Sequence, residues 1–207
     1  MSESAPISDS TPLSDWLAEL AQPTAAPGGG AASSVMLATA AALLRMVAEY
    51  TPDDPQASGC AARLVSGRTE ALDVAKTDGL RSADLGAALS LSADDPQRDG
   101  RVREAAIAAA RSSASIGEVG RSLIPELELL IQISNPHLVA DLAVAATALH
   151  AGMAGASINL RANLQMASKH GAPRAVLTGL HAEVRRLSVD QAAVADIAEQ
   201  VSATFDR

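Results

Sequence analysis

Apolar residues recur at helical spacing along most of this 207-residue chain. In the C-terminal segment Leu177, Leu180, Val184 and Leu187 follow one another at three- or four-residue steps, which places them on one face of a helix. No stretch alternates apolar and polar residues for long enough to predict a strand, and short Gly/Pro-rich breaks separate the apolar segments. The pattern predicts an all-α antiparallel bundle of about six helical segments with long C-terminal helices.

The breaks give the bounds of the predicted segments. They cover residues 11–22, 30–51, 56–91, 97–133, 136–169 and 175–205, and the fifth could instead begin with Asp141 as its N-cap. Three glycines weaken the third segment, so we expect a local break around residues 77–82. Pro125 lies inside the fourth segment and predicts a kink or a split there, because proline removes a backbone hydrogen bond.

Composition supports a single helical domain. Hydrophobic residues make up 48% of the chain but aromatic residues only 1%, so the core must consist of Ala, Leu, Val and Ile. Such a core favours closely packed helices over a sheet. The length suits one domain. We therefore predict a flexible, Ser-rich tail over residues 1–10 and one helical domain over residues 11–207.

Charge and cysteine content narrow the class of protein further. The net charge of −8 argues against a nucleic acid or an anionic membrane as a partner. Cys60 is the sole cysteine, which excludes an intrachain disulfide. Residues 1–12 lack the basic region of a signal peptide, and polar residues are expected to interrupt each apolar run before it reaches membrane-spanning length. These features predict a cytoplasmic protein.

The most unusual local sequence is Pro27-Gly28-Gly29-Gly30, which directly precedes an apolar, Ala-rich run. Glycine accepts positive φ and lets another group approach the backbone closely. The helix that follows begins with N–H groups that have no intrahelical partner, and its dipole is positive there. The segment could bind a carbonyl-rich or negatively charged ligand, or it could be a tight turn between two packed helices. It is not a P-loop, because no Lys-Ser/Thr follows the glycines.

A second group of polar residues lies on the fifth segment. Asp141 stands at a possible helix start, where it could serve chemistry or act only as a cap. Asn159 follows 159 − 141 = 18 residues later, and Asn163 one turn after that, so all three would share one face of a continuous helix. The two amides could bind a ligand or neighbouring helices. Arg161 points to the other side and would pair with an acidic residue or reach a ligand across a subunit boundary.

Two blocks of the chain resemble the cyclodeaminase/cyclohydrolase family, which comprises the cyclodeaminase part of formiminotransferase-cyclodeaminase and stand-alone methenyltetrahydrofolate cyclohydrolases. The first block contains Pro23-Thr24, Pro27-Gly28-Gly29-Gly30 and the run from Leu43 to Thr51. The second contains Asn135-Pro136, Asp141 and Asn159-Leu160-Arg161-Ala162-Asn163-Leu164, similar to the family's Asn-Pro…Ser-Asp and Asn-x-Arg-x-Asn-Leu. The resemblance extends from about residue 13 to the C-terminus.

The resemblance implies a tetrahydrofolate substrate carrying a one-carbon unit at N5 or between N5 and N10, and no tightly bound cofactor or metal. Ring opening by water, or release of ammonia as N10 attacks a formimino carbon, each needs a group that moves protons and an anion near a cationic amidine. Asp141 and Asp78 are the candidate catalytic carboxylates, and the pattern around Asp141 matches the family better. The implied substrate-binding residues are Pro27, Gly28, Gly29, Gly30, Ser33, Asn159, Arg161 and Asn163.

The central part of the chain departs from the family pattern. Where the family shows Asp-Ala-x-Ala-Phe, only Asp78 is kept. Where Gly-Lys-Lys is common, this chain has Pro52-Asp53-Asp54, so basic residues that could receive the folate glutamate tail are replaced by acids. Three hypotheses follow: a folate cyclohydrolase or cyclodeaminase, a folate-like binding module without the activity, and a structural helical protein. A homodimer is expected, since the long helices have small-residue faces that one bundle would not cover.

Overall fold

The structure, a computed structural model, describes residues 11–206 and is helical throughout that range, with no strand among those residues. It has six α-helices, with short 3₁₀ turns at Pro136–Leu138 and Ala203–Asp206. The helices are α1 (Leu13–Leu20), α2 (Gly29–Glu49), α3 (Pro55–Leu89), α4 (Arg98–Ile133), α5 (Val139–Lys169) and α6 (Arg174–Ser202). The prediction of an all-α bundle of about six segments is confirmed. The predicted N-terminal tail lies outside the described residues.

Helix α2 is the centre of the bundle and packs against α3, α4 and α5, while α6 covers α4 and α5. Leu37 and Leu44 of α2 are fully buried with Leu149 and Met153 of α5. Small residues allow this close packing: a Cβ added to Gly152 would lie 2.6 Å from Leu37 Cδ2. The Ala-rich core expected from the composition is therefore a consequence of how closely the helix axes approach.

The expected break in the third segment is absent. Helix α3 runs unbroken from Pro55 to Leu89, with Asp54 as its N-cap. Its glycines are contact points, since a Cβ at Gly67 would lie 2.8 Å from Leu123 Cδ2 and one at Gly86 would lie 2.8 Å from Ala25 Cβ. This packing outweighs the low helix propensity of glycine. Helix α4 continues through Pro125, so of the two alternatives expected there the split is excluded and the kink stays a prediction.

The start of α5 agrees with the first of the two expected alternatives, a helical segment that begins at Pro136. A 3₁₀ turn precedes it, with Asn135 accepting a hydrogen bond from the His137 N–H at 3.0 Å. Leu138 occupies the N-cap position and Asp141 lies in the first turn of the helix. Asp141 is therefore not the cap. Its carboxylate is placed near the positive end of the helix dipole, which is a favourable position for any acidic residue.

Two helices are long and apolar enough to cross a membrane by length and hydropathy: α2, and the stretch Pro136–Lys169 that contains α5. The expectation that polar residues interrupt every apolar run is wrong for these two. Buried helices at the centre of a bundle pass the same test, and 56% of the α2 window is buried. Only 39% of the window on α5 is buried, so this helix keeps an exposed apolar face.

A half-buried ion pair joins α3 to α4. Arg63 donates from Nε to Glu126 Oε1 at 2.5 Å and from Nη2 to Oε2 at 2.9 Å. Burial alone would raise the pKa of Glu126, but the Arg63 hydrogen bonds and those from Cys60 outweigh it and lower this pKa. Burial, with the Glu126 hydrogen bond, raises the pKa of the Cys60 thiol to about 12. The thiol is thus protonated and inert, and Cys60 serves packing.

Candidate functional site

The glycine segment forms the beginning of α2. Gly28 is the N-cap, with extended backbone (φ −131°), and Gly29 and Gly30 are the first two helical residues. The peptide bond before Pro27 is cis, and the Pro27 side chain is buried. No side chain within residues 11–206 caps the helix, so its first N–H groups are available to an acceptor. Positive φ is not the reason for these glycines, because Gly171 is where the described chain adopts it.

The reason for Gly30 is its neighbour on α3. A Cβ at residue 30 would overlap the carboxylate of Asp78, whose Oδ2 is the nearest atom and whose Oδ1 would lie 2.7 Å away. The Asp78 side chain is therefore packed directly on the backbone of the first helical turn. This contact needs a residue without a side chain at position 30. Asp78 is one of the two predicted catalytic carboxylates, and the structure brings it to the glycine segment.

Asp78 is buried, with 4% of its surface exposed. The Ser112 hydroxyl of α4 donates to Asp78 Oδ1 at 3.1 Å. Burial raises the pKa of Asp78 above its usual value, and hydrogen bonds from Ser112 and Ser82 oppose that rise without cancelling it. A carboxyl group with a raised pKa binds a proton more tightly than an exposed aspartate does, which suits a group that takes up a proton during a reaction.

The two predicted amides of α5 lie on the same side of the bundle. A Cβ at Gly29 would be 3.3 Å from Asn159 Nδ2 and 3.5 Å from its Oδ1, so the amide lies against the exposed Gly29. Asn159 Nδ2 donates to the Gly155 carbonyl at 3.1 Å. One turn further, Asn163 Nδ2 lies 3.4 Å from Ser113 Oγ of α4. Asp78 and Asn159 thus lie against the first turn of α2, and Asn163 lies one helical turn further along α5 in contact with α4.

Ser33 takes a structural position below this turn. Its hydroxyl donates to the Gly29 carbonyl at 2.6 Å, and the side chain is 3% exposed. It fills the space above Gly155, where an added Cβ would overlap Ser33 Oγ. Of the residues predicted to bind substrate, Ser33 therefore supports the glycine segment from inside the bundle, as does the buried Pro27.

Arg161 lies on a different side of α5. Its Nε donates to the Ser157 carbonyl at 3.3 Å. The side chain lines a groove of about 800 Å³ between α5 and α6, together with Lys169 and His181. The structure does not bring Arg161 to the first turn of α2, in agreement with its expected rotation from Asn159. The expected acidic partner for Arg161 has no counterpart among the ion pairs of the described residues.

Asp141 is far from the glycine segment. It shares a face of α5 with Asn159, but the 18 intervening residues of one continuous helix span about 27 Å. Because Asn159 contacts Gly29, Asp141 lies at the opposite end of the bundle. The structure therefore separates the two predicted carboxylates and brings only Asp78 to the site. Residues that are 18 positions apart on a continuous helix lie on the same face, but five helical turns separate them along the helix axis.

Sequence reasoning missed Ser112 and Ser113. Both are buried on α4, where they contact Asp78 and Asn163 respectively. A signal was present, since two hydroxyls lie next to each other in the Ala-rich run of that helix, on the side that faces its neighbours. No cluster of three or more His, Cys, Asp or Glu side chains that could hold a metal occurs within residues 11–206.

Comparisons with known proteins identify the family and the fold of the chain. A family model described as formiminotransferase-cyclodeaminase matches residues 12–174. The crystal structure of formiminotetrahydrofolate cyclodeaminase from Thermotoga maritima has the same fold, with a TM-score of 0.83 over 96% of this chain and 98% of that chain. Its sequence is 23% identical, so this similarity concerns the fold. No curated protein sequence matches the chain.

Proposed function

The chain belongs to the formiminotransferase-cyclodeaminase family, as the resemblance of its motifs indicated, and we propose that it releases ammonia from formiminotetrahydrofolate with Asp78 as the proton carrier. Membership places the chain among folate-related enzymes of one-carbon metabolism. The observation that carries the proposal is the contact between a buried carboxyl group, with a raised pKa, and the open first turn of α2. Asp141 has no part in this proposal, because it lies at the other end of α5.

The reaction needs a proton to be moved and not consumed. N10 of the substrate attacks the carbon of the formimino group, which is protonated as a cationic amidinium, and forms the new C–N bond while the N10 proton passes to a base. The bond from that carbon to the amino nitrogen then breaks as the same proton is delivered to it, giving ammonia and the cationic methenyl product. One carboxyl group can perform both transfers if it is close to both nitrogens. Asp78 is suited to accept this proton because burial raises its pKa, which makes its carboxylate a stronger base than that of an exposed aspartate.

Charge and hydrogen bonding provide the rest of the site. The cationic amidine is stabilised by the Asp78 carboxylate in its charged state. The unpaired N–H groups at Gly29 and Gly30 face acceptors on the pterin ring, such as its carbonyl oxygen. The Asn159 amide can recognise an edge that carries both donors and acceptors. Gly29, which is exposed next to Asn159, is where a flat ring can reach the backbone.

An assay of the purified protein with formiminotetrahydrofolate and, separately, with methenyltetrahydrofolate tests the proposal. We expect ammonia release and the absorbance of the methenyl product with the first substrate. Hydrolysis of the second substrate without ammonia release from the first would make the protein a cyclohydrolase, in which Asp78 activates water instead. Tight folate binding without either reaction would identify a binding module.

We also propose a homodimer formed through α5. The exposed side of this helix is apolar or small along most of its length, with Val144 at 58% and Ile158 at 59% exposure and Ala151 and Ala154 between them. Small residues on a helix face let a second helix approach closely. The occupant we propose is the same face of a second copy, since a face that pairs with itself about a twofold axis buries both apolar surfaces at once. The cytoplasmic location stays a prediction.

A further inference from the structure

The two oxygens of the Asp78 carboxylate have different surroundings. Oδ1 accepts the hydrogen bond from Ser112 at 3.1 Å, and both side chains are buried, at 4% and 7% exposure. Oδ2 is the carboxylate atom closest to the position of a Cβ on Gly30. Oδ1 would also lie 2.7 Å from that position, so both oxygens lie against the first turn of α2, where the substrate is proposed to bind, and Oδ1 is in addition held by α4.

Ser112 also differs from the other buried serines near the site. Ser33, Ser34 and Ser113 donate their hydroxyl protons to the carbonyl four residues earlier in their own helix, at 2.6, 3.1 and 3.0 Å. Ser112 donates instead across the helix interface to Asp78. A buried serine in a helix satisfies itself locally at little cost. Because the Ser112 hydroxyl bonds to another helix and not to its own, it holds the Asp78 carboxylate, which a hydrogen bond within α4 would not do.

We propose that Ser112 is a positioning residue for the reaction: its hydroxyl holds Asp78 Oδ1 and leaves Oδ2 to accept and deliver the proton. This inference rests on the proposed function of Asp78. The hydroxyl acts in two ways. It fixes the rotation of the carboxylate, so that Oδ2 keeps one direction through both transfers. It also donates to the charged form of the carboxylate and so limits the rise of its pKa that burial causes.

Among residues 11–206, no charged group contributes to the pKa of Asp78 in the way that Ser112 does. On α3, Lys76 bonds Asp73, and Arg81 bonds Asp84 on the exposed surface. On α4, Arg111 next to Ser112 is exposed. Helix α2 has no charged residue before Arg45. In the part of α5 near Gly29 the first charged residue is Arg161, whose side chain lines the groove between α5 and α6. Hydroxyl groups, from Ser112 and Ser82, are thus what opposes the desolvation of Asp78.

Four proteins test the inference: the parent, Ser112→Ala, Ser112→Thr, which keeps the hydroxyl, and Ser113→Ala as the matched control on α4. We expect Ser112→Ala to lower kcat about tenfold with little change in KM, and to move the acidic limb of the pH profile of kcat/KM upward by roughly half a unit to one unit. Ser112→Thr should restore both, and Ser113→Ala should leave the pH profile unchanged. A loss of kcat in Ser112→Ala with an unshifted pH profile would overturn the inference.

A direct titration separates this inference from the proposed function. The carboxyl carbon of Asp78, followed by NMR in ¹³C-labelled protein, reports its pKa whether or not the protein turns over folate. The inference predicts a higher pKa in Ser112→Ala and the parent value in Ser112→Thr. An unchanged pKa in a folded Ser112→Ala variant would refute it. A raised pKa in a protein that lacks turnover would reject the proposed function and leave Ser112 as the residue that controls Asp78.

Discussion

Asp78 and Asn159 contact successive glycines of one helical turn, the carboxylate against Gly30 and the amide against Gly29. The two residues come from α3 and α5, which lie on different sides of α2. The first turn of α2 is therefore held between an acid and an amide, with its own N–H groups unpaired. A group that can transfer protons, the positive end of a helix dipole and a hydrogen-bonding amide therefore lie next to one another.

The first prediction separates the two carboxylates. Asp78→Asn should lower kcat by roughly 10²–10⁴-fold, the usual contribution of general acid–base catalysis. Asp141→Asn should keep the parent rate, because that residue lies at the far end of α5. Steady-state kinetics of both variants give the answer. Parent-like turnover in Asp78→Asn would remove Asp78 from the mechanism, and a selective loss in Asp141→Asn would favour a site at the other end of the bundle.

The second prediction concerns close packing at Gly30. Gly30→Ala should displace the Asp78 carboxylate, abolish turnover and cost about 1–3 kcal/mol of stability, as overpacked sites do. Gly28→Ala is the matched control, since its Cβ would meet the nearest atom at 3.8 Å. Urea unfolding and the folate assay measure the two effects. If both variants behave alike, the glycine segment is only a turn.

The third prediction addresses ligand approach at Gly29. Gly29→Val should abolish folate binding while the helical circular dichroism stays close to that of the parent. The branched side chain would fill the exposed space beside the Asn159 amide, where a Cβ already lies 3.3 Å from Nδ2. Calorimetric titration with the substrate tests this. Parent-like affinity would show that the ligand binds elsewhere.

The fourth prediction follows from the raised pKa of Asp78. The folded protein holds the proton more tightly than the unfolded chain, so the stability linked to this group is complete below the ordinary value of 3.8 and is lost as pH rises through the folded pKa. Asp78→Asn should therefore be at least as stable as the parent at pH 7. Any gain in the stability of Asp78→Asn over the parent should disappear at acidic pH. Thermal unfolding between pH 3 and 7 measures the difference, and a variant less stable than the parent at pH 7 would contradict it.

The fifth prediction concerns the ion pair between α3 and α4. Arg63→Met should destabilise the protein by roughly 1–3 kcal/mol at pH 7, because the buried Glu126 carboxylate loses two hydrogen bonds. The lowered pKa of Glu126 gives the sign: the contribution is complete above the ordinary value of 4.5 and is lost as pH falls through the folded pKa. Arg68→Met, at an exposed position of α3, is the control. A gap that persists in strong acid would point to lost packing instead.

The homodimer gives a prediction of its own. Ile158→Asp should yield monomers, because it places a charge in the apolar face of α5 that we propose to be paired. The control is Val189→Asp, at an equally exposed position on α6. Sedimentation equilibrium at micromolar concentration distinguishes the states. A parent protein that sediments as a monomer would reject the dimer.

The sequence by itself determined the helices and the family. Apolar spacing of three and four residues and the Gly/Pro breaks were sufficient to place six helices, because these are local properties of the chain. Local rules failed at two glycines of α3, where closely packed neighbours outweigh the low helix propensity of glycine. Gly67 and Gly86 are helical because Leu123 and Ala25 pack closely against them.

The composition of the site was decided only by the tertiary structure. Asp78 and Asp141 had equal chemistry in the sequence, and the surrounding motifs favoured Asp141. Packing of α3 against α2 places Asp78 on Gly30, whereas the rigid length of α5 keeps Asp141 about 27 Å from Asn159. The role of Ser112 was hidden for the same reason. A hydroxyl in an Ala-rich helix has no evident partner until another helix brings a carboxylate to it.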